Sequence, residues 1–173
     1  MITIRRALPH DAQTLAALSA TTYAQTFNYY PPEDLEHYLS TTYTAENYLA
    51  YLTDPRTAIW LAEDTDAGTP LGYVMAGPAG LPHPDCSDQD GELKRLYVLA
   101  DQQGSGLGAR LLETALEWLE GEYPHRSLWL GVWSENYGAQ RLYQRYGFAR
   151  VGDYYFTVGS TQDYEFIFRR DPR

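Results

Sequence analysis

Gln103-Gly104-Ser105-Gly106-Leu107-Gly108-Ala109 places three glycines within five residues at the entrance of an amphipathic stretch. Glycines so closely spaced let a ligand approach the backbone, and a helix N-terminus offers unpaired N–H groups and the positive end of its dipole. The chemistry open to such a turn is to hold a phosphate; a plain tight turn is the other reading. A nucleoside-triphosphatase loop needs Gly-Lys-Ser/Thr before its helix, whereas Gly108 is followed by Ala109-Arg110. A dinucleotide fingerprint is formally present as Gly104, Gly106 and Ala109. That fold, however, sets the turn close behind a buried apolar strand, with an acid about 20 residues on. Here Leu99–Gln103 intervene after Val98, the strand carries Glu92, Lys94 and Arg95, and Glu135 comes 31 residues after Gly104.

A second constellation lies downstream. Asn136, Ala139, Tyr143 and Gly147-Phe148 form Asn-x-x-Ala-x-x-x-Tyr followed by Gly-Phe, with Asn136 standing 33 residues after Gln103. The earlier turn itself reads Gln-x-x-Gly-x-Gly (Gln103, Gly106, Gly108), five residues after the end of Leu96-Tyr97-Val98. In this order, with a helix and a strand between them, the two motifs resemble the acyl-CoA loop and the Asn/Tyr helix of the GNAT superfamily of N-acetyltransferases. The resemblance runs from Ile2 to Arg169.

That resemblance implies an α/β fold (mixed α+β) with a central mixed sheet of six or seven strands flanked by helices. Two parallel neighbouring strands would splay to form the acyl-CoA slot. The backbone of Leu96, Tyr97 and Val98 would bond the pantetheine of acetyl-CoA, and Gln103, Gly104, Ser105, Gly106, Leu107, Gly108 and Ala109 would hold its pyrophosphate. Asn136 would touch the pantetheine end. Tyr143 would point its hydroxyl at the thioester sulfur, where a phenol can protonate the thiolate expelled by an attacking amine. Its alternative role is that of a packing aromatic beside Leu142 and Tyr146.

The base is less plainly marked. Many members of the superfamily carry a Glu five residues before the Asn; Gly131 stands there. Glu92, at the start of the preceding strand, is the remaining carboxylate for taking the proton through water. Regular alternation would set it on one face with Lys94 and Leu96, so an ion pair with Lys94 is the competing reading. A free amine can also lose its proton to bulk water while proximity supplies most of the acceleration. Arg110, Arg141 and Arg145 are either phosphate contacts or solvated helix charges. His83 and Cys86 in one loop, without a second pair, make a poor metal site, and no metal is expected.

The segments 27–39, 43–52 and 92–98 are similar to the branch containing bacterial spermine/spermidine acetyltransferases. In the superfamily the first two helices and their connection roof the acceptor. Tyr23, Tyr29, Tyr30, Glu33, Asp34 and Glu36 fall there, aromatics and carboxylates suited to an ammonium chain; Tyr29, Tyr30 and Glu33 are the candidate acceptor contacts. The expected acceptor is a cationic primary amine, such as a polyamine or a lysine-like amine. The alternatives are a protein N-terminus or protein lysine, and a non-catalytic acyl-CoA-binding regulatory module. A dinucleotide enzyme is a third reading. A homodimer is the superfamily's habit.

These residues need elements to position them. Ile2–Ala7 reads as a strand, and Pro9-His10-Asp11 opens a helix to about Phe27. Further helices are expected at Leu35–Leu39, Ala45–Leu52 (capped by Thr44), Leu107–Glu120 and Asn136–Tyr146, the last closed by Gly147. Strands are expected at Thr57–Glu63, Pro70–Ala76, Glu92–Leu99, Ser127–Trp133, Phe148–Val158 and Asp163–Arg169, with a loop over Gly77–Gly91. Without repeat or linker, residues 1–173 read as one domain.

The 173 residues carry 13 Lys+Arg against 23 Asp+Glu, net −10, with 44% hydrophobic and 14% aromatic content. That composition excludes a disordered chain, and the charge disfavours nucleic acid or an anionic membrane as partner. Residues 1–90 carry −9 and residues 91–173 carry −1. The acidic half therefore reads either as a solvated surface or as a face toward a cation. One cysteine, no apolar run near the roughly 18 residues of a spanning helix and no signal-like N-terminus fit a cytoplasmic protein.

Overall fold

The computed structural model describes all of Met1–Arg173. In chain order, β1 (Ile2–Arg6) leads through a short turn of 3-10 helix into α1 (Ala12–Thr26), α2 (Pro32–Thr42) and α3 (Ala45–Thr53). The hairpin β2 (Ala58–Asp64) and β3 (Thr69–Pro78) follows, then β4 (Gly91–Val98) and α4 (Leu107–Glu122). The chain ends with β5 (Leu128–Trp133), α5 (Tyr137–Arg145), β6 (Ala149–Val158) and β7 (Thr161–Arg170). All seven strands join one mixed sheet in the order β1-β2-β3-β4-β5-β7-β6. No helix is long and apolar enough to cross a membrane.

Helix α4 shows how the sequence builds this arrangement. Leu107, Leu111, Leu112, Ala115, Leu116 and Leu119 recur at helical spacing and are all buried. They meet Val74, Leu93, Leu128, Leu130 and Phe168 from one face of the sheet. A second cluster forms on the opposite face, where α1 and α3 bring Leu15, Leu18, Tyr23 and Tyr48 against Ile59, Leu61, Tyr73 and Met75. The sheet is thus sandwiched, with Leu93 and Leu96 of β4 in the α4 core and Tyr97 in the other.

Helix α2 begins and ends three residues beyond the expected Leu35–Leu39. Pro32 supplies the fixed φ of a first helical residue, and Glu33 and Asp34 face the positive end of the dipole. The Thr44 cap is present, its hydroxyl accepting from the Asn47 N–H at 3.0 Å. The expected loop is shorter than drawn, because β3 continues to Pro78. It is tied down by Asp90, which accepts from Arg126 Nε at 2.8 Å and from the buried indole of Trp129 at 3.0 Å.

One register sets up the site. β4 and β5 run parallel and are paired only where Gly91, Leu93 and the residue between them meet Leu128–Leu130. Beyond Leu93 they part, while β4 stays paired to β3 as far as Val98 and β5 to β7 as far as Trp133. Each strand therefore keeps one bare edge facing the gap, lined with backbone donors and acceptors that the sheet leaves without partners.

Candidate active site

The gap between the parted strands is a slot lined by Leu96, Tyr97 and Val98 on one side and by Gly131, Val132 and Trp133 on the other. At its outer end lies the glycine turn. Gly104 (φ +81°) and Gly106 (φ +87°) adopt left-handed backbone that side chains with a Cβ disfavour, and Gly106 is the N-cap of α4. The first helical hydrogen bond is made by the Arg110 N–H to the Gly106 carbonyl at 3.1 Å. None of the N–H groups from Gly104 to Ala109 makes a hydrogen bond of good geometry within the chain. Six consecutive donors at a helix N-terminus form an anion cradle. Gln103 caps the strand end, its amide donating to the Val98 carbonyl at 3.4 Å. Ser105 folds its hydroxyl back onto the Gln102 carbonyl.

Asn136 and Tyr143 close the inner part of the slot from α5. The Asn136 side chain accepts from the Ala139 N–H at 3.2 Å and so caps the helix on which Tyr143 sits. Gly147 (φ +91°) ends that helix, and the Phe148 N–H returns to the Tyr143 carbonyl at 3.2 Å. The Tyr143 ring is buried edge-on to Phe148 at 6.4 Å. Its hydroxyl has no partner in the chain and lines the slot. Burial drives its pKa well above that of a free phenol, so the hydroxyl keeps its proton at neutral pH.

Behind the slot, on the α1 side of the sheet, a second cavity of about 190 Å³ opens under Tyr23, Tyr38 and Tyr43. Glu92 lines it. A bulge explains how: Met75 pairs with Arg95 and Ala76 with Leu93, so Lys94 is the extra residue on β4. The bulge breaks the regular alternation assumed from sequence. Leu96 joins the α4 core, whereas Glu92 opens into the cavity shared with Tyr97. Its Oε1 accepts from the Gly80 N–H at 2.9 Å and meets Lys94 Nζ at 3.5 Å, and burial pushes its pKa up.

Three further groups in this cavity escaped the sequence reading. Arg95 stands over the rings of Tyr43, Tyr48 and Tyr51 at 5.2, 5.6 and 5.3 Å and donates to the Tyr48 hydroxyl at 2.9 Å. Tyr154 of β6 fills the space beside Gly131, where a Cβ would lie 2.7 Å from its hydroxyl. Glu165 of β7 lies opposite Trp133 and Tyr154 in the sheet and lines both the slot and the cavity. A signal was present in Asp163 and Glu165, two acids sharing a strand face with the buried Ile167.

The candidate acceptor contacts sit elsewhere. Tyr30 is buried, stacked on Phe27 at 5.9 Å, with its hydroxyl donating to Asp163. Tyr29, half-exposed, stacks on Trp133 at 5.6 Å and also donates to Asp163. Glu33 is exposed on the first turn of α2, and none of the three lines the slot or the cavity. Asp34 accepts from the N–H and hydroxyl of Ser160 and pins α2 to the β6–β7 turn. Arg110, Arg141 and Arg145 are exposed. His83 lies against Trp129 at 5.0 Å, and no three His, Cys, Asp or Glu side chains gather as a metal site.

The family model described as the acetyltransferase (GNAT) family matches residues 21–148. The chain belongs to the GNAT acetyltransferase family. Among its relatives, an uncharacterized N-acetyltransferase of Mycobacterium tuberculosis is 32% identical over 162 residues, covering 93% of this chain and 97% of the relative. The spermine/spermidine N(1)-acetyltransferase of Bacillus subtilis is 28% identical over 120 residues, covering 64% and 79%. In fold, this acetyltransferase superposes on the PaiA N-acetyltransferase of Thermoplasma acidophilum, solved with coenzyme A, with a TM-score of 0.77. Identity is 20%, and 99% of each chain is covered. The ribosomal-protein-alanine N-acetyltransferase of Brucella melitensis gives a TM-score of 0.73 at 21% identity, covering 98% and 99%. As a GNAT acetyltransferase the protein is an acyltransferase, and its sheet has the splayed parallel pair that the motifs implied.

Proposed function

We propose that this acetyltransferase moves an acetyl group from acetyl-CoA to a cationic primary amine, such as a polyamine or a lysine-like amine, by direct attack. The observation that carries the reading is the parting of β4 from β5 beyond Leu93. It leaves a bare strand edge that ends at the six free N–H groups of the glycine turn and passes the unpaired Tyr143 hydroxyl. Pantetheine amides match the edge at Leu96, Tyr97 and Val98, with Asn136 at the inner end. The pyrophosphate matches the donors from Gly104 through Ser105, Gly106, Leu107, Gly108 and Ala109, next to Gln103. Tyr143 gives its proton to the departing sulfur.

Two carboxylates, Glu92 and Glu165, and the faces of Tyr23, Tyr38 and Tyr43 suit an ammonium entering the cavity. Glu92, held by the Gly80 N–H and Lys94, lies within the cavity, where its charge draws the ammonium toward the thioester. An acceptor tail leaving the cavity reaches the half-exposed ring of Tyr29, with Glu33 adding negative charge outside, while Tyr30 stays buried beneath on Asp163. The single cysteine, Cys86, has no partner for an internal disulfide, which suits a reducing cytoplasm. A homodimer belongs to the proposal on family habit alone.

A second reading, acetylation of a protein N-terminus or protein lysine, is favoured by Arg95. Its guanidinium lines the same cavity with Tyr48 as its side-chain partner and has donors left for a peptide carbonyl or carboxylate. A thiol-release assay with acetyl-CoA against polyamines, amino acids and peptides separates the two. Activity with polyamines supports the first reading; activity confined to peptides supports the second; activity only on neutral or acidic amines overturns both.

A further inference from the structure

Glu165 Oε2 is the only buried side-chain oxygen or nitrogen in the protein without a hydrogen-bond partner. A buried carboxylate oxygen left bare is costly, and such groups call for an explanation. Here the place supplies one. Glu165 lines both the slot that contains Tyr143 and the cavity that contains Glu92, so it stands where the two spaces meet. Its sheet neighbours are Trp133 and Tyr154, and Gly131, two residues before Trp133 on the same face, adds no side chain to obstruct it. Glu92, by contrast, has its carboxylate engaged by the Gly80 N–H and Lys94.

We infer that Glu165 is the catalytic base of the transfer: its free oxygen receives the acceptor's ammonium as a hydrogen-bond donor and takes one proton from it. This rests on the acetyl-transfer reading above and adds to it the residue that activates the amine. Glu165 accepts the proton, and the freed lone pair forms the C–N bond to the thioester carbonyl carbon. The C–S bond breaks and the sulfur takes the Tyr143 proton. The second proton lost by the nitrogen restores Tyr143, and Glu165 returns its own to solvent. The products are the amide, free thiol and one proton.

The surroundings fit a base that works near neutrality. Burial and the neighbouring Asp163 push the Glu165 pKa up to about 8. Facing it are Tyr154 from β6 and Glu92, Lys94, Arg95 and Tyr97 from β4. From the helices Tyr23 of α1, Tyr38 of α2 and Tyr43 after it close the cavity. The active form of Glu165 is the carboxylate, so kcat/KM rises with pH through its pKa.

The test compares wild type, Glu165→Gln and Glu92→Gln between pH 6 and 10, with spermidine and a lysine peptide as acceptors. The acetyl-CoA-induced rise in Tm serves as control for folding and donor binding. Glu165→Gln is expected to lower kcat/KM by about a hundredfold or more and to abolish the inflection near pH 8, with the Tm rise intact. Glu92→Gln should raise the amine KM and keep the inflection. Glu165→Ala should recover rate with added formate, a response that a structural carboxylate would not give. A Glu165→Gln enzyme with wild-type rate and inflection, or Glu165→Ala unresponsive to formate, overturns the inference and leaves the acetyl-transfer reading standing. Wild type that acetylates neither acceptor, nor any other amine, overturns that reading and the inference with it.

Discussion

The hydroxyl of Tyr30 donates to the carboxylate of Asp163, joining the α1–α2 connection to β7 two residues from Glu165. Tyr29 donates to the same carboxylate, and Tyr23 meets the Tyr30 hydroxyl at 3.1 Å. The roof over the slot is thus fastened to the strand that carries the free acid. Tyr30→Phe removes one of two donors from a buried carboxylate and should cost about 1–3 kcal/mol in urea unfolding. Tyr29→Phe, at a half-exposed position, should cost less. Equal and negligible effects of both would show that the roof is held by its stacked rings alone.

Helices, strands and the glycine turn were legible because each obeys a local rule: the leucine stripe of α4, the Thr44 cap, the positive-φ glycines, the Gly147 stop. What escaped depends on registers no local rule contains. The bulge at Lys94 decides that Glu92 opens on Tyr97's side rather than Leu96's. The pairing of β7 with β5 decides that Glu165 reaches the slot. The excess acidity of residues 1–90 pointed to the roof as the source of negative charge for the acceptor. The carboxylates that line the cavity, Glu92 and Glu165, come from the nearly neutral half, while Asp34 of the roof is spent on Ser160.

Glu165 should trade stability for function. Its pKa is raised to about 8 by burial and Asp163, so the folded state keeps a proton that the unfolded chain releases near its ordinary value. Stability attributable to this group is full at acid pH and is lost as pH rises toward and through 8. Glu165→Gln removes that loss. Relative to wild type it should gain about 2 kcal/mol between pH 5 and pH 9, a figure reduced for partial solvent screening. Parallel stability–pH curves for the two proteins would mean that Glu165 is solvated like a surface acid.

The glycine turn separates folding from binding. Gly106→Ala puts a Cβ at φ +87° and should cost roughly 1–2 kcal/mol, besides weakening acetyl-CoA binding. Gly108 lies within α4, where an added Cβ meets nothing within 4 Å. Gly108→Ala should therefore stabilise the fold by up to about 1 kcal/mol while weakening acetyl-CoA binding by calorimetry. Unchanged affinity in both variants would move the pyrophosphate away from this turn.

On the proposed reading, the slot between β4 and β5 transfers acetyl groups with Tyr143 as the proton donor. This reading is tested most directly by measuring kcat for thiol release and Kd for acetyl-CoA in wild type and Tyr143→Phe. Expected are turnover in wild type with a cationic amine, a fall in kcat of about a hundredfold in the variant, and Kd values within about twofold of each other. A variant that turns over like wild type, or a wild type that releases no thiol with any amine, would contradict it.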